Sequence, residues 1–425
     1  MAADAGSETR AIVAAAWSVL ERSGFRSLKV RQVLAPAGVS ANGFYRRFPS
    51  RSHLMIALME DEAAAVSGRL TARLRQEAEP PRQLYAWVDE LVDVAFHPVR
   101  LQRARIFLDP VLAEEQPVAT DRLGGATTVA LADVLRRGRA SGHFGAVDEV
   151  LTARAVHLLL RGFTFERLAG TLAASRDDTV ETVLAMLSDA LGVEPPLGPT
   201  RTGGAARPVA PAGALPTLSD DTAALAADRA AGTTAPDPET ERIVAAAWRV
   251  LERSHFRTLK VRQVLAASEV SASLFYRRYP SKGALLVAMI DDENRRAAAH
   301  MQARLRPERD VTGRLRAWVE GGLQIVYDDR LARRSRLFLD PVLAAEHPRE
   351  FERLVAVTID PGRDLLVAAG MSPQAAGLRA RATYHAVRGF LGDRLSGTHD
   401  WARADVARTL TALLLPRRPT APGDG

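Results

Sequence analysis

Residues 8–59, ETRAIVAAAWSVLERSGFRSLKVRQVLAPAGVSANGFYRRFPSRSHLMIALM, return at residues 239–290 as ETERIVAAAWRVLERSHFRTLKVRQVLAASEVSASLFYRRYPSKGALLVAMI. The two stretches align without a gap at an offset of 231, with 34 of 52 positions identical. That period is too long for a solenoid unit and means two whole domains in one polypeptide. Within the first copy, Ile12, Val13, Ala16, Val19 and Leu20 lay an apolar stripe along one helix, and Trp17 extends it. Phe25 closes a corner, and Leu28, Val30, Val33 and Leu34 set a second helix against the first. Ser27, and Thr258 in the second copy, stand where that helix wants an N-cap. Gly38 suits a tight turn with positive φ, and Val39 plugs the core behind it. Ser40 caps a short third helix in which Phe44 and Phe48, four apart, pack inward. Pro49 ends that helix and Ser50 caps the next. The pattern predicts helices over Thr9–Ser23, Leu28–Ala35 and Ser40–Phe48, a helix-turn-helix head.

At 425 residues the length allows about three domains, and the repeat refines this to two units of about 190 residues, each able to bury a core. No cysteine is present, which excludes disulfides, thiolate metal sites and cysteine nucleophiles and fits a reducing cytoplasm. The N-terminal MAADAGSETR lacks a signal-peptide pattern, and no apolar run approaches the ~18 residues of a membrane span. The net charge of +7 is concentrated: residues 8–60 carry +5 and residues 239–291 carry +4, leaving −2 for the remainder. Clustered basic charge is the footprint of a phosphate-binding face, although an Arg-rich solvated surface would look the same by charge alone. A Gly-rich phosphate loop and a Gly-x-Ser-x-Gly elbow are both missing, and His97, His157 and His385 stand isolated rather than at metal-ligand spacing. The expectation is a non-enzyme with no cofactor and no metal.

Outside the heads the apolar periodicity is helical almost throughout, over about Arg51–Gln76, Arg82–Phe96, Val99–Leu108, Asp121–Arg139, Asp148–Leu168 and Thr179–Leu191. Arg336–Leu343 (RLFLDPVL) matches Arg105–Leu112 (RIFLDPVL) at the same offset, and Arg388-Gly389-Phe390 matches Arg161-Gly162-Phe163 at an offset of 227. The duplication therefore extends through the bodies. Asp109-Pro110 and Asp340-Pro341 read as capped helix ends. The expected domains are a first head over 1–50, a first body over 51–194, a linker over 195–238, a second head over 239–281, a second body over 282–415 and a disordered tail over 416–425. The linker is rich in Pro, Gly, Ala and Thr, with one short helical stretch near Leu218–Ala231. Its root-mean-square span of roughly 35–40 Å lets the two units pack together.

The order from the first helix through Val-x-x-Val-Leu-Ala-x-Ala-Gly-Val-Ser to Phe-Tyr-Arg-Arg-Phe-Pro-Ser-Arg resembles the TetR/AcrR family of one-component bacterial regulators. The resemblance is specific over about 50 residues of each head. Over the bodies it implies an all-α architecture: two tandem units, each a three-helix head on a helical ligand and dimerisation body. It places Ser40, Ala41, Asn42 and Gly43, and Ser271, Ala272, Ser273 and Leu274, where base edges are met. It places Tyr45 and Arg46, with Tyr276 and Arg277, at phosphate contacts, and Arg51 and Lys282 at the phosphate-meeting start of the next helix. Ser27 and Thr258 would meet phosphate at a helix N-terminus. Tyr45 and Tyr276 also fit packing against the first helix, and Arg47 and Arg278 fit a solvated face as well as a DNA contact.

The same resemblance implies double-stranded DNA and a small-molecule effector as partners. Aromatic residues suited to the effector are Trp87, Phe96, Phe107 and Phe163 in the first body and Trp318, Tyr327, Phe338 and Phe390 in the second, although core packing accounts for each. The last two helices of each body, about Asp148–Leu168 with Thr179–Leu191 and Ala375–Leu395 with Ala402–Leu415, are expected to pair as an intramolecular pseudo-dimer; a dimer of chains with four heads is the alternative. The heads differ at the reading pair, Asn42-Gly43 against Ser273-Leu274, which points to unequal operator half-sites. Glu269 in place of the turn glycine points instead to a weakened second head, and an architectural, ligand-free DNA-binding protein is the competing reading.

Overall fold

Polar caps and one glycine fix the helix ends of the first head. The structure, a computed structural model, describes residues 2–23, 28–108, 117–193, 238–252, 259–335 and 348–417. Helix α1 covers Ala2–Ser23, α2 Val30–Ala37 and α3 Ala41–Arg47. Gly38 ends α2 at φ 65°, the left-handed turn its lack of a Cβ allows. Ser40 caps α3, its hydroxyl accepting from the Gly43 N–H at 3.1 Å. Ser50 caps α4 in the same way, accepting from the His53 N–H. Helix α2 starts two residues later than expected because Lys29 stays extended, its N–H donating to the Gln32 side chain at 2.9 Å. The caps expected from Ser27 and Thr258 lie outside the described residues, as do Asp109-Pro110, Asp340-Pro341, Phe338 and the segment 195–237.

The chain continues as α4 (Arg51–Gln76), α5 (Pro80–Phe96), α6 (Pro98–Ala104) with a 3-10 turn over Arg105–Leu108, α7 (Pro117–Ala140), α8 (Glu149–Ala169) and α9 (Arg176–Leu191). The second copy repeats this order as α10 (Pro238–Leu251), α11 (Val261–Ser268), α12 (Ala272–Arg278), α13 (Lys282–Leu305), α14 (Val311–Tyr327), α15 (Asp329–Ser335), α16 (Pro348–Ala368), α17 (Pro373–Ser396) and α18 (Arg403–Leu414). The described residues contain no strand, and no helix among them is long and apolar enough to cross a membrane. The chain divides into two compact units, Met1–Gly198 with Asp291–Gly425, and Pro199–Ile290. The first unit holds the first head, the first body and the second body from Asp291 onward; the second holds the second head with the start of α13.

In the first unit, the head core is Ile12, Ala16, Trp17, Val33, Phe44, Leu54, Leu58 and Met59, closed from the body side by Ile106 of the 3-10 turn. A second, continuous core runs through both bodies, from Leu70, Trp87 and Leu135 through Leu159 and Phe163 to Trp318, Phe390 and Leu410. Each body repeats one internal bond. The Trp87 indole N–H donates to the Thr127 carbonyl at 3.0 Å, and Trp318 donates to Thr358 at 2.9 Å.

Glu62, Asp89 and Glu90 form a buried carboxylate cluster in the first body. Buried charge is tolerated only when it is paired, and here arginines from α4, α6 and α9 surround the acids. Arg69, Arg73 and Arg100 reach Glu90 at 3.1, 3.5 and 3.0 Å, and Arg73 and Arg176 reach Asp89 at 2.6 and 2.5 Å. Arg103 of α6 bridges Glu62 of α4 and Glu21 of α1 at 3.3 and 2.8 Å and lies 4.9 Å over the Trp17 ring. This network ties the first head to its body.

The two bodies meet through α8 and α17. Residues 151–170 (LTARAVHLLLRGFTFERLAG) and 378–397 (LRARATYHAVRGFLGDRLSG) are half identical at the offset of 227. Their contacts are reciprocal, as a two-fold interface requires. Arg154 binds Asp393 through two bonds of 2.8 and 2.5 Å, and its counterpart Arg381 binds Glu166, the counterpart of Asp393, at 2.7 Å. The helices cross where a Cβ on Gly162 would lie 2.3 Å from the Cβ of His385, and one on Gly389 would lie 2.6 Å from that of Leu158. Only glycine permits that approach. The expected pseudo-dimer pairing of the last two helices is thus present in the first unit.

Candidate nucleic-acid interface

Each head presents one exposed face built on its third helix. In α3, Phe44 is fully buried and Phe48 packs beside it, ring centroids 5.7 Å apart, which turns the intervening residues outward. Ser40, Ala41, Asn42, Tyr45 and Arg46 are exposed and Gly43 is half-buried. Tyr45 touches Phe44 only edge-on, at 5.4 Å, and remains 52 % exposed, so its hydroxyl end is open to a partner. Arg51, at the start of α4, is exposed on the same head. The second head repeats the arrangement: Ser271 caps α12 by accepting from the Leu274 N–H at 3.2 Å, Phe275 is buried, and Tyr276 is 52 % exposed. Ala272, Ser273 and Arg277 are exposed, and Leu274 and Lys282 are half-buried.

Arg47 and Arg278 do something the sequence reading did not anticipate. Arg47 pairs with Glu8 of α1 at 3.1 Å, and Arg278 donates to Thr240 of α10 at 2.8 Å. Both brace the third helix against the first. Glu8 also lies 3.7 Å from Arg46, whose side chain stays 68 % exposed. The turn differs between the heads. Glu269 takes φ 58°, the one non-glycine residue with positive φ among the described residues, and occupies the left-handed position that Gly38 fills in the first head.

The difference at the reading pair is not forced by packing. A Cβ at Gly43 would meet only the Ser40 hydroxyl, at 3.4 Å, an ordinary contact. The backbone N–H at this position makes the same capping bond in both heads. Glycine in one head and leucine in the other therefore leave the fold unchanged while changing the chemistry of the exposed face.

The seven described aromatic residues suited to an effector fall in separate surroundings. Trp87 and Trp318 are buried with their N–H groups spent internally. Phe163 and Phe390 lie in the core shared by the bodies, Phe163 edge-on to His385 at 5.4 Å. Phe107 packs against the first head's core and its carbonyl accepts from Arg161 at 3.2 Å. Phe96 lies under Arg167 at 5.3 Å, and the Tyr327 hydroxyl donates to the Trp401 carbonyl at 2.8 Å. His157, half-buried, and His385, buried, have distinct partners. His157 meets the Thr127 hydroxyl at 3.1 Å, and burial, with Arg154 and Arg161 nearby, pushes its pKa down to about 3. His385 lies 3.1 Å from Glu166, and burial lowers its pKa despite that carboxylate. Burial would raise the pKa of Glu166, but His385 and Arg381 hold it below the ordinary value.

Residues 12–58 and 243–289, the two exposed-face heads, each match the family described as bacterial regulatory proteins, tetR family. The chain carries the tetR-family domain twice. These are DNA-binding regulator domains, and the all-helical bodies complete a tandem tetR-like architecture. Solved structures similar to part of the chain include a protein of unknown function from Rhodococcus sp. RHA1, at 20 % identity and TM-score 0.37, covering 43 % of this chain and 95 % of that one. GusR of Salmonella enterica matches at 18 % identity and TM-score 0.35, covering 44 % and 95 %. A transcriptional regulator from Rhodococcus sp. Rha1 matches at 18 % identity and TM-score 0.34, covering 44 % and 99 %. No curated protein matches the chain.

Proposed function

We propose that this chain is a cytoplasmic one-component transcriptional repressor whose two tetR-family heads read two unequal operator half-sites, and that a small molecule bound in a helical body releases it. It acts by binding and not by catalysis. The observation that carries the reading is the contrast between shared and changed residues on the exposed faces. The phosphate-side residues recur, Tyr45-Arg46 as Tyr276-Arg277 and Arg51 as Lys282, whereas the pair at the helix start changes from Asn42-Gly43 to Ser273-Leu274. Phosphate contacts position a reader and base contacts specify. Asn42 can bind adenine through two hydrogen bonds, whereas Leu274 offers apolar contact, as to a thymine methyl. Successive major grooves on one face lie about 34–36 Å apart, and an effector that changes a body's shape would break that match.

Selection of genomic fragments by the purified chain, followed by sequencing, tests this. The expected result is a motif of two unequal half-sites. Replacing Ser273-Leu274 with Asn-Gly should make the half-sites alike; an unchanged preference would sink the asymmetric reading. Glu269 favours a second reading, in which the second head binds DNA only weakly, because it adds a negative charge to the turn before α12. In that case the enriched motif would contain a single half-site.

A further inference from the structure

The reciprocity between the bodies fails for one buried arginine, and the failure is directional. Arg379 of α17 is almost completely buried, its side chain 3 % exposed, and its guanidinium reaches Asp189 of α9 at 2.5 Å. It also donates to the Leu413 carbonyl within its own body. The other oxygen of Asp189 accepts from the backbone N–H of Arg417, at 2.9 Å. Both carboxylate oxygens of Asp189 are therefore used by the second body. At the offset of 227, the counterpart of Arg379 is Thr152, buried at 2 % exposure, and the counterpart of Asp189 is Pro416. No charge pair exists at the reciprocal place.

We propose that Arg379 and Asp189 make the four-helix face accept only the other body of this chain's type, so that first pairs with second and neither body pairs with a copy of itself. Two second bodies placed face to face would set each Arg379 against Pro416, leaving two buried guanidinium groups without a counter-charge. Two first bodies would set each Asp189 against Thr152 and lose the Arg417 N–H as well. Two of the surrounding pairs do not discriminate: Arg154 with Asp393 and Arg381 with Glu166 are equivalent pairs that either kind of body could supply, whereas the His385–Glu166 contact has no equivalent, Leu158 standing at the matching place. Breaking one buried ion pair weakens an association by about a hundredfold or more, and discrimination built from an unpaired charge in the wrong complex is a recognised route to specificity. The linker then selects the closed single chain by effective concentration. This inference is independent of what the heads read.

The test exchanges the charges in full-length chains carrying two different affinity tags. Asp189→Lys sets like charges against Arg379 within one chain, and Arg379→Asp does the same against Asp189. Each variant alone should lose several degrees in unfolding midpoint or fail to accumulate. Expressed together, the two should form a one-to-one complex seen by native mass spectrometry, because each first body then finds its opposite charge on the other chain. The double variant in one chain should return to a wild-type midpoint and a single-chain mass. Single variants with unchanged midpoints, co-expressed variants that stay apart, or a double variant no better than the singles would each overturn the proposal.

Discussion

At the scale of single residues, the most informative position is Glu269. A left-handed conformation costs an ordinary side chain roughly 1–2 kcal/mol, and glycine gives back part of that as unfolded-state entropy. Glu269→Gly is expected to stabilise the second head by about 0.5–1 kcal/mol, read as slower amide exchange over α11 and α12, and to tighten DNA binding by removing a carboxylate. The position was legible in the sequence because Gly38 stands in the same frame. The bracing roles of Arg47 and Arg278 were not, since Glu8 and Thr240 lie on the first helix of each head, 39 and 38 residues away, and pattern alone does not choose between partner and solvent. Histidine supplies a second prediction. His157 and His385 have folded pKa values below the unfolded 6.5, so unfolding takes up protons as pH falls beneath that value. Their stabilisation is complete above about pH 6.5 and drains as pH falls, down to about 3 for His157. Glu166, depressed below its ordinary value, loses its contribution in the same direction at lower pH. Thermal unfolding at pH 7.5, 6.5 and 5.5 should show falling midpoints, and His385→Leu, the residue its counterpart Leu158 already has, should reduce the drop.

At the scale of elements, helix existence and order were readable among the described residues and helix starts less so. Helix α1 begins at Ala2, ahead of the expected Thr9, and α2 begins at Val30, behind the expected Leu28. Capped starts such as Ser40 and Ser50 were found because the cap is local; the start of α2 depends on Gln32 reaching back to Lys29. The charge network of the first body was invisible in the sequence, because buried acids on an amphipathic helix look like surface ones until the neighbouring helix is known. Arg103 is its link to the head. Arg103→Ala leaves Glu62 of α4 and Glu21 of α1 without their shared cation and removes the stack on Trp17. The expected loss is roughly 2 kcal/mol, a discounted value for a pair only partly out of water, measurable by urea denaturation. It should persist at high salt, since Glu62 is 3 % exposed.

At the scale of the whole molecule, the bonds that join the bodies connect residues 239 and 215 positions apart, Arg154 with Asp393 and Arg381 with Glu166. The repeated Arg-Gly-Phe in α8 and α17 exposed the duplication, but the ion pairs could be recognised only once the two copies were known to face each other. Asp393→Asn removes the charge that the buried Arg154 guanidinium meets through two bonds and is expected to lower stability by about 3 kcal/mol. A double replacement of Arg154 and Asp393 by Met and Leu should recover most of that, because an apolar pair of similar volume avoids the desolvation of both charges. Calorimetry on the full-length variants distinguishes the two outcomes.

The crossing at Gly162 and Gly389 carries a consequence for heredity. In a dimer of identical chains every codon change at such a crossing alters both sides at once, so a histidine would face a histidine's neighbour twice over and any loss would be doubled. Here Leu158 and His385 occupy matching places and differ. A duplicated gene can edit one wall of its own interface while the other wall stands still, so unequal half-sites and unequal bodies lie one mutation at a time within reach.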